Sequence, residues 1–315
     1  MKTILNTRSK STEVEFSDRA RACLLGLAIG DAVGTTVEFS SRGRFKPVSD
    51  MVGGGPHDLK AGEWTDDTSM ALCLAESLIT KGKFDAVDQM KRYCLWWREG
   101  HLSSNGRCFD IGNTVSVALG SFEENGEPFA GSAAPDMSGN GSIMRLAPVP
   151  IFTKTDHVAA VKLARESSRT THAAEECIDS CQILSSLLHH LLNGASKTES
   201  LEKLKFENVA SKKVEEISKG SYQSKSEREI QSSGYVIHTL EAALWSFYRT
   251  NSFREAILTA VNLGGDADTT GAVCGQIAGA FYGMKEIPSE WLDRLSKREL
   301  IESMAEKLID RTSIA

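Results

Sequence analysis

Several features are missing from this 315-residue chain, and each absence removes a class of protein. No two cysteines are spaced Cys-x-x-Cys. The seven present (23, 73, 94, 108, 177, 181 and 274) are odd in number and suit neither a disulfide framework nor a thiolate zinc site. The expectation is a reduced, cytoplasmic protein in which Cys177 and Cys181, one helical turn apart, are packed thiols. No His-Glu-x-x-His pair serves zinc, no Gly-x-x-x-x-Gly-Lys-Ser/Thr loop cradles a phosphate, and no Gly-x-Gly-x-x-Gly follows a strand. Basic charge is not in excess: Lys and Arg number 36 against 42 Asp and Glu, for a net charge of -6. Such a chain exerts no long-range pull on nucleic acid or anionic lipid, although local groups can still hold a small anion. Residues 1–16 lack the apolar run of a signal peptide, and the most apolar early stretch, Cys23 to Gly30, stops at Asp31, short of a membrane span. Strand-type alternation and internal repeats of 20–50 residues are also absent.

What is present is helical periodicity. Ser17 is placed to cap a helix reaching Gly34, behind a polar, flexible arm at 1–16. Further helices are expected from Asp67 to Gly82, Asp85 to Glu99, from a cap at Asn113, and over Asp156–Ser168, Ala173–Asn193, Tyr235–Arg249, Phe253–Leu263 and Asp268–Tyr282. The stretch after Pro288 is helical too. Two long segments, 39–64 and 125–150, read as loops, and loops of that length in compact domains tend to be functional. The polar stretch 194–233 reads as a surface excursion within one domain spanning 17–315. Two helices carry glycine at every fourth position: Gly26, Gly30 and Gly34 in one, Gly271, Gly275, Gly279 and Gly283 in the other. Each helical glycine costs about 1 kcal/mol relative to alanine, so the stripes imply close backbone packing.

Two acidic clusters stand at loop-to-helix junctions: Gly62-Glu63-Trp64-Thr65-Asp66-Asp67-Thr68 and Gly264-Gly265-Asp266-Ala267-Asp268-Thr269-Thr270-Gly271. Helix capping accounts for one such residue in each, but each supplies at least three, and adjacent carboxylates repel unless a cation neutralises them. Thr65, Asp66, Asp67, Asp266, Asp268 and Thr269 form a suitable oxygen donor set for a pair of Mg²⁺ or Mn²⁺ ions. Asp266 and Asp268 would diverge by about 200° on a regular helix, so both face one site only from a turn, which Gly264-Gly265 permits. The run from Asp266 is not an EF-hand, because Ile277 stands where that loop needs glutamate.

With these motifs in view, the chain resembles the ADP-ribosylglycohydrolase family over roughly residues 18–285. The resemblance rests on Gly26-x3-Gly30-Asp31-x2-Gly34-x3-Glu38, the two acidic clusters, and Ser138-Gly139-Asn140-Gly141-Ser142-x2-Arg145-x2-Pro148. Thr171-His172 and Ser233-Gly234-Tyr235-Val236 complete it. It implies an all-α fold, a single compact orthogonal multi-helix bundle around a central binuclear magnesium or manganese centre, with the six residues above as ligands. By the same resemblance Glu38 is a mobile acid beside the ribose. Gly139, Asn140, Gly141 and Ser142 contact ribose and phosphates, His172 contacts the distal ribose or phosphate, and Tyr235 stacks on adenine.

The implied activity is hydrolysis of the bond between ADP-ribose and its acceptor, with an ADP-ribosylated protein side chain, arginine first, as substrate. A cognate ADP-ribosyltransferase is a conceivable contact. Bond cleavage develops oxocarbenium character on the ribose. Two cations would fix the sugar and activate water, and Glu38, Asp66 or Asp67 would shuttle the proton. Two other readings compete. A magnesium enzyme acting on prenyl diphosphates lacks its usual Asp-Asp-x-x-Asp here, because Asp66-Asp67 leads to Thr68-Ser69-Met70. A non-catalytic module that binds ADP-ribose or neutralises a toxin by contact would use the arm at 1–16.

Overall fold

In a computed structural model the chain is a multi-helix bundle; residues 2–204 and 209–311 are described, without side chains for 2–12, 14 and 311. Its helices are α1 (Lys2–Gly34), α2 (Asp66–Lys81), α3 (Ala86–Glu99), α4 (Asn113–Asn125), α5 (Pro148–Thr153), α6 (His157–Arg169) and α7 (Glu175–Leu192). They continue as α8 (Lys197–Glu202), α9 (Lys212–Ser218), α10 (Val236–Arg249), α11 (Phe253–Val261), α12 (Ala267–Tyr282), α13 (Ser289–Arg294) and α14 (Arg298–Arg311). Among the described residues there is no strand, only isolated bridges such as Gly139 with Tyr235. The stops follow the expected chemistry: Gly82, Gly100 and Gly126 close α2, α3 and α4 in the left-handed conformation. Asp85 and Asp156 cap α3 and α6 through their side chains.

At the centre α1 and α12 run antiparallel with their backbones in contact. A Cβ added at Gly26 would overlap the Gly275 carbonyl, one at Gly30 the Gly271 carbonyl, and one at Gly34 the Ala267 carbonyl. Gly279 meets the Ala22 carbonyl in the same way. The stripes therefore face each other, and α12 is buried from Ala267 to Ala280. Gly283 does not belong to its stripe: the helix has ended, and this residue is its C-cap at φ 75.

Several expectations change. Ser17 caps nothing, because nothing between Lys2 and Phe16 breaks a helix and α1 runs straight through. Phe16, assigned to the polar arm, is 4% exposed and joins the core. The apolar run is also longer than the Cys23–Gly30 stretch: Glu15–Val37 spans 23 residues and contains a window of mean hydropathy 1.3, enough to cross a membrane by length and composition, yet 89% of that window is buried inside the bundle. The polar excursion forms α8 and α9 and is held by buried Leu201, Leu204, Val214, Ile217 and Tyr222. Within the expected loop at 125–150, Pro148 starts the short helix α5, where proline's missing N–H is harmless.

A second apolar cluster of Met70, Tyr93, Trp96, Leu119 and Phe122 ties α2, α3 and α4 together and supports the 101–112 loop. The contact between α1 and α12 leaves no room for a methyl group. Gly275→Ala is expected to lose about 3 kcal/mol of unfolding free energy in urea. Gly120→Ala, whose added carbon would meet open space, serves as the control. Equal effects of the two substitutions would contradict the close-approach reading.

Candidate active site at the helix junction

The antiparallel pairing sets the N-terminus of α12 beside the C-terminus of α1, and α2 is drawn to the same place by Asp31. That buried carboxylate on α1 accepts hydrogen bonds from the Thr65 N–H and hydroxyl at 2.9 Å, and from the Thr68 N–H and hydroxyl at 3.1 and 2.6 Å. It thus caps α2 from another helix. Neither Thr65 nor Asp266 caps its own helix through its side chain, so the capping account of the two clusters fails and their carboxylates are left for another task.

Asp66 and Asp67 begin α2 and Asp268 sits in the first turn of α12, where helix N-termini favour negative charge. Gly264 and Gly265, at φ 69 and 65, make the expected turn and bring Asp266 to the same cavity as Asp268. The Thr65 hydroxyl lies 3.3 Å from Asp67 Oδ2 and 3.4 Å from Asp268 Oδ2, and the Thr269 hydroxyl 3.4 Å from Asp67 Oδ2. Clusters 203 positions apart in sequence therefore share one hydroxyl. Asp67 Oδ1 and Asp268 Oδ1 are buried and without hydrogen-bond partners. Two orphaned carboxylate oxygens among hydroxyls are the donor set a hard divalent cation fits.

Asp66, Asp266, Asp268 and Thr269 line a cavity of about 250 Å³, together with Glu38, Phe39, Asp110, Gly139, Asn140, Gly141 and His172. Thr65 and Asp67 lie directly behind its floor, 0% and 1% exposed. Asn140 donates to Asp266 Oδ2 and to the Thr239 hydroxyl, both at 2.9 Å. His172 is buried against the loop, and a Cβ at Gly141 would stand 2.8 Å from its ring. Burial, with Arg145 nearby, lowers its pKa to about 3, so the imidazole is neutral. Arg145 itself is buried and braces the loop by donating to the Gly141 carbonyl and the Thr171 hydroxyl, at 2.8 and 2.7 Å. Ser142 does not reach the cavity: its hydroxyl accepts from Cys181 Sγ at 3.3 Å in the core.

Tyr235 stands apart from the acidic centre. It lines an adjoining space of about 490 Å³ with Met137, Ser138, Glu176 and Lys213. The two spaces share Thr114, Gly139 and Gly234. The Tyr235 hydroxyl donates to Glu176 Oε2 and accepts from Lys213 Nζ, each at 2.6 Å.

Sequence reasoning passed over three residues of this site. Asp31 lay in a quoted motif without a role. Asp110 and His57 had no motif at all, yet His57 Nε2 stands 3.1 Å from Asp110 Oδ1 and 3.6 Å from Glu38 Oε2. This trio, not the aspartates, is the set whose ligand-type atoms all lie within 4.8 Å of one another among the described residues.

Burial, then neighbouring acids, raises Asp66, Asp67, Asp268, Glu38 and Asp110. Asp66, Asp67 and Asp268 are pushed well above the ordinary carboxylate range. Glu38 rises to about 9 and Asp110 to about 7. Asp31 reaches only about 6, because four hydrogen bonds oppose the desolvation. A cation reverses this logic by drawing carboxylates into their ionised form.

Acids of this kind, opening on a glycine-walled space with an aromatic edge beyond, suit an all-helical enzyme. The comparison with known proteins narrows it. Residues 12–314 match the family model of ADP-ribosylglycohydrolase. The chain is 48% identical over 302 residues to the ADP-ribosylarginine hydrolase Tri1 of Pseudomonas putida (strain GB-1), covering 95% of this chain and 80% of that one. It is 34% identical over 285 residues to the ADP-ribosyl-[dinitrogen reductase] glycohydrolase of Rhodospirillum rubrum, covering 89% and 91%. A solved structure titled as an ADP-ribosylglycohydrolase-related protein complex matches with a TM-score of 0.84 at 42% identity, over 95% of this chain and 99% of that one. The chain belongs to the ADP-ribosylglycohydrolase family and is a hydrolase.

The raised acids have a consequence for stability. Asp31 and Asp110 bind protons more tightly folded than unfolded. Their contribution is fully present below the unfolded carboxylate pKa of about 4 and is lost as pH rises through about 6 and 7. In chelator, Tm is expected to be higher near pH 5 than near pH 8, with excess Mg²⁺ reducing the difference. A Tm in chelator that is flat or rises over that range would contradict the electrostatic picture.

Proposed function

We propose that the chain hydrolyses the glycosidic bond joining ADP-ribose to an arginine side chain of a protein, reversing that modification. The shared Thr65 hydroxyl, which joins acids from two distant clusters at one cavity, is the observation that carries the hydrolytic reading. Arginine as acceptor rests on the relatives named ADP-ribosylarginine hydrolase, from Pseudomonas putida and Serratia proteamaculans, each 48% identical to this chain. Those names are of hydrolases and do not favour the non-catalytic binding reading or the prenyl diphosphate reading. The seven free thiols suit a reducing, cytoplasmic setting.

Thr65, Asp66, Asp67, Asp266, Asp268 and Thr269 would hold two Mg²⁺, with Mn²⁺ an acceptable replacement. Bound there, such ions supply Lewis-acid charge near the ribose and lower the pKa of water. Gly139, Asn140 and Gly141 take the ribose and phosphates along the cavity wall; the Asn140 N–H is already bonded to the Gly234 carbonyl at 3.0 Å, so the two glycines supply the backbone N–H groups, which need no basic side chain. Asn140 is fixed for that role by its bonds to Asp266 and Thr239. Neutral His172 backs the same wall, while Ser142 supports it from the core. Tyr235 presents its ring in the adjoining space to the adenine, held upright by Glu176 and Lys213.

Glu38 moves the proton. Its Oε2 is buried without a hydrogen-bond partner and can therefore exchange a proton with the acceptor nitrogen as the bond breaks. Asp110, a neighbouring acid, helps keep Glu38 protonated, and His57 Nε2 stands 3.6 Å from its Oε2. Asp31 touches no substrate, and its work is to hold α2 against α1.

Asp67→Asn and Asp268→Asn keep the volume of each side chain and remove its charge. Each is expected to cut release of ADP-ribose from an ADP-ribosylated arginine peptide by more than about 100-fold, with the helical circular dichroism spectrum retained. EDTA should do the same to the unaltered protein. Near-normal turnover of either variant in saturating Mg²⁺ would overturn the assignment.

A further inference from the structure

Phe39 has no packing reason to be where it is. Its side chain is 69% exposed, and its backbone stands at φ 59, a left-handed conformation that bulky residues adopt only when their surroundings impose it. The imposition is visible. The Phe39 N–H donates to the Gly265 carbonyl at 2.7 Å, and the Gly265 N–H donates to the Ser40 carbonyl at 2.8 Å. Arg42 Nε adds a bond to the Leu263 carbonyl at 3.1 Å. The strap after Glu38 is thus pinned to the turn that carries Asp266. Twisting a backbone to hold an apolar ring in water adds nothing to stability, and outliers of this sort gather where a ligand is clamped.

The ring's neighbours indicate which ligand. Phe39 lines the acidic cavity with Glu38, Asp66, Asp110, Asp266 and Asp268, and neither lysine nor arginine lines it. An aromatic face beside five acids suits a planar cation. A guanidinium stacks on such a face and gains from its quadrupole, whereas a serine oxygen or any neutral acceptor gains nothing from it.

We propose that Phe39 determines specificity for the acceptor, its ring receiving the guanidinium of the modified arginine while ADP-ribose occupies the rest of the cavity. This rests on the arginine reading above. It goes further by naming the side chain that distinguishes arginine from neutral acceptors.

The test compares Phe39→Leu, which keeps the apolar bulk and the backbone strain but has no π face, with Phe39→Tyr, which keeps the face. Substrates are an ADP-ribosylated arginine peptide and an ADP-ribosylated serine peptide, and free ADP-ribose is titrated as a ligand lacking any acceptor. Phe39→Leu is expected to lower kcat/KM on the arginine conjugate roughly tenfold, chiefly through KM. Phe39→Tyr should stay within about twofold of the unaltered protein. Affinity for free ADP-ribose and Tm should not move in either variant, because the ring touches only the acceptor. Undiminished kcat/KM in Phe39→Leu, or a parallel loss of ADP-ribose affinity, would overturn the proposal. Failure of the unaltered protein on the arginine conjugate, with release from the serine conjugate, would overturn the arginine reading itself and is seen before any variant is made.

Discussion

Two helices whose backbones touch govern the rest of this molecule. With glycine on both sides of the contact, α1 and α12 approach until Gly26 faces Gly275 and Gly30 faces Gly271. No side chain remains between them to repack or slide, so the register of one against the other has a single value. That register places Gly34 against Ala267 and Asp268 and holds the N-terminus of α12 where α1 ends. Asp31, one turn before Gly34, then takes hold of Thr65 and Thr68 and brings α2 to the same point. A site built to hold a ligand needs its groups fixed to fractions of an ångström, and a contact whose glycines place no side chain between the helices is a direct way to achieve that.

The centre so formed opposes folding. Five acids around one cavity and Asp67 behind its floor, with Asp67 and Asp268 carrying buried, unpartnered oxygens, are kept by the core around them rather than by any mutual attraction. Helix N-termini offset part of that cost at Asp66, Asp67 and Asp268, and cations would offset more. The same logic separates supporting residues from working ones. Asp31 has its hydrogen bonds satisfied within the protein, whereas Glu38, Asp67 and Asp268 retain atoms with no partner. Groups left unsatisfied inside a well-packed body are the ones available to a ligand.

Much of this was legible in the sequence because it is local. Glycine every fourth residue marks a contact face wherever the partner lies, and Gly264-Gly265 before two aspartates announces a turn. Most helices were also within reach, since their periodicity and stop signals sit in the segments themselves. The failures were of two kinds. Some needed a partner that sequence does not display: Asp31 looked like an interruption in an apolar helix, although its role is a cap on a helix 34 residues later. Asp110 and His57 come from loops that converge on Glu38 only in the folded chain. Others came from motif membership alone. Ser142 shares a loop with Gly141 but points into the core toward Cys181, and Gly283 continues a spacing that the helix itself does not. Phe39 gave no signal, because an exposed ring on a twisted backbone is recognisable only in three dimensions.

Anomalous diffraction from crystals grown with Mn²⁺ tests the central claim most directly. Density touching Asp67 from the first cluster and Asp268 from the second, with Thr65 between them, is the result expected from a junction built by α1 and α12. Manganese confined to one cluster, or seated only among Glu38, His57 and Asp110, would contradict it.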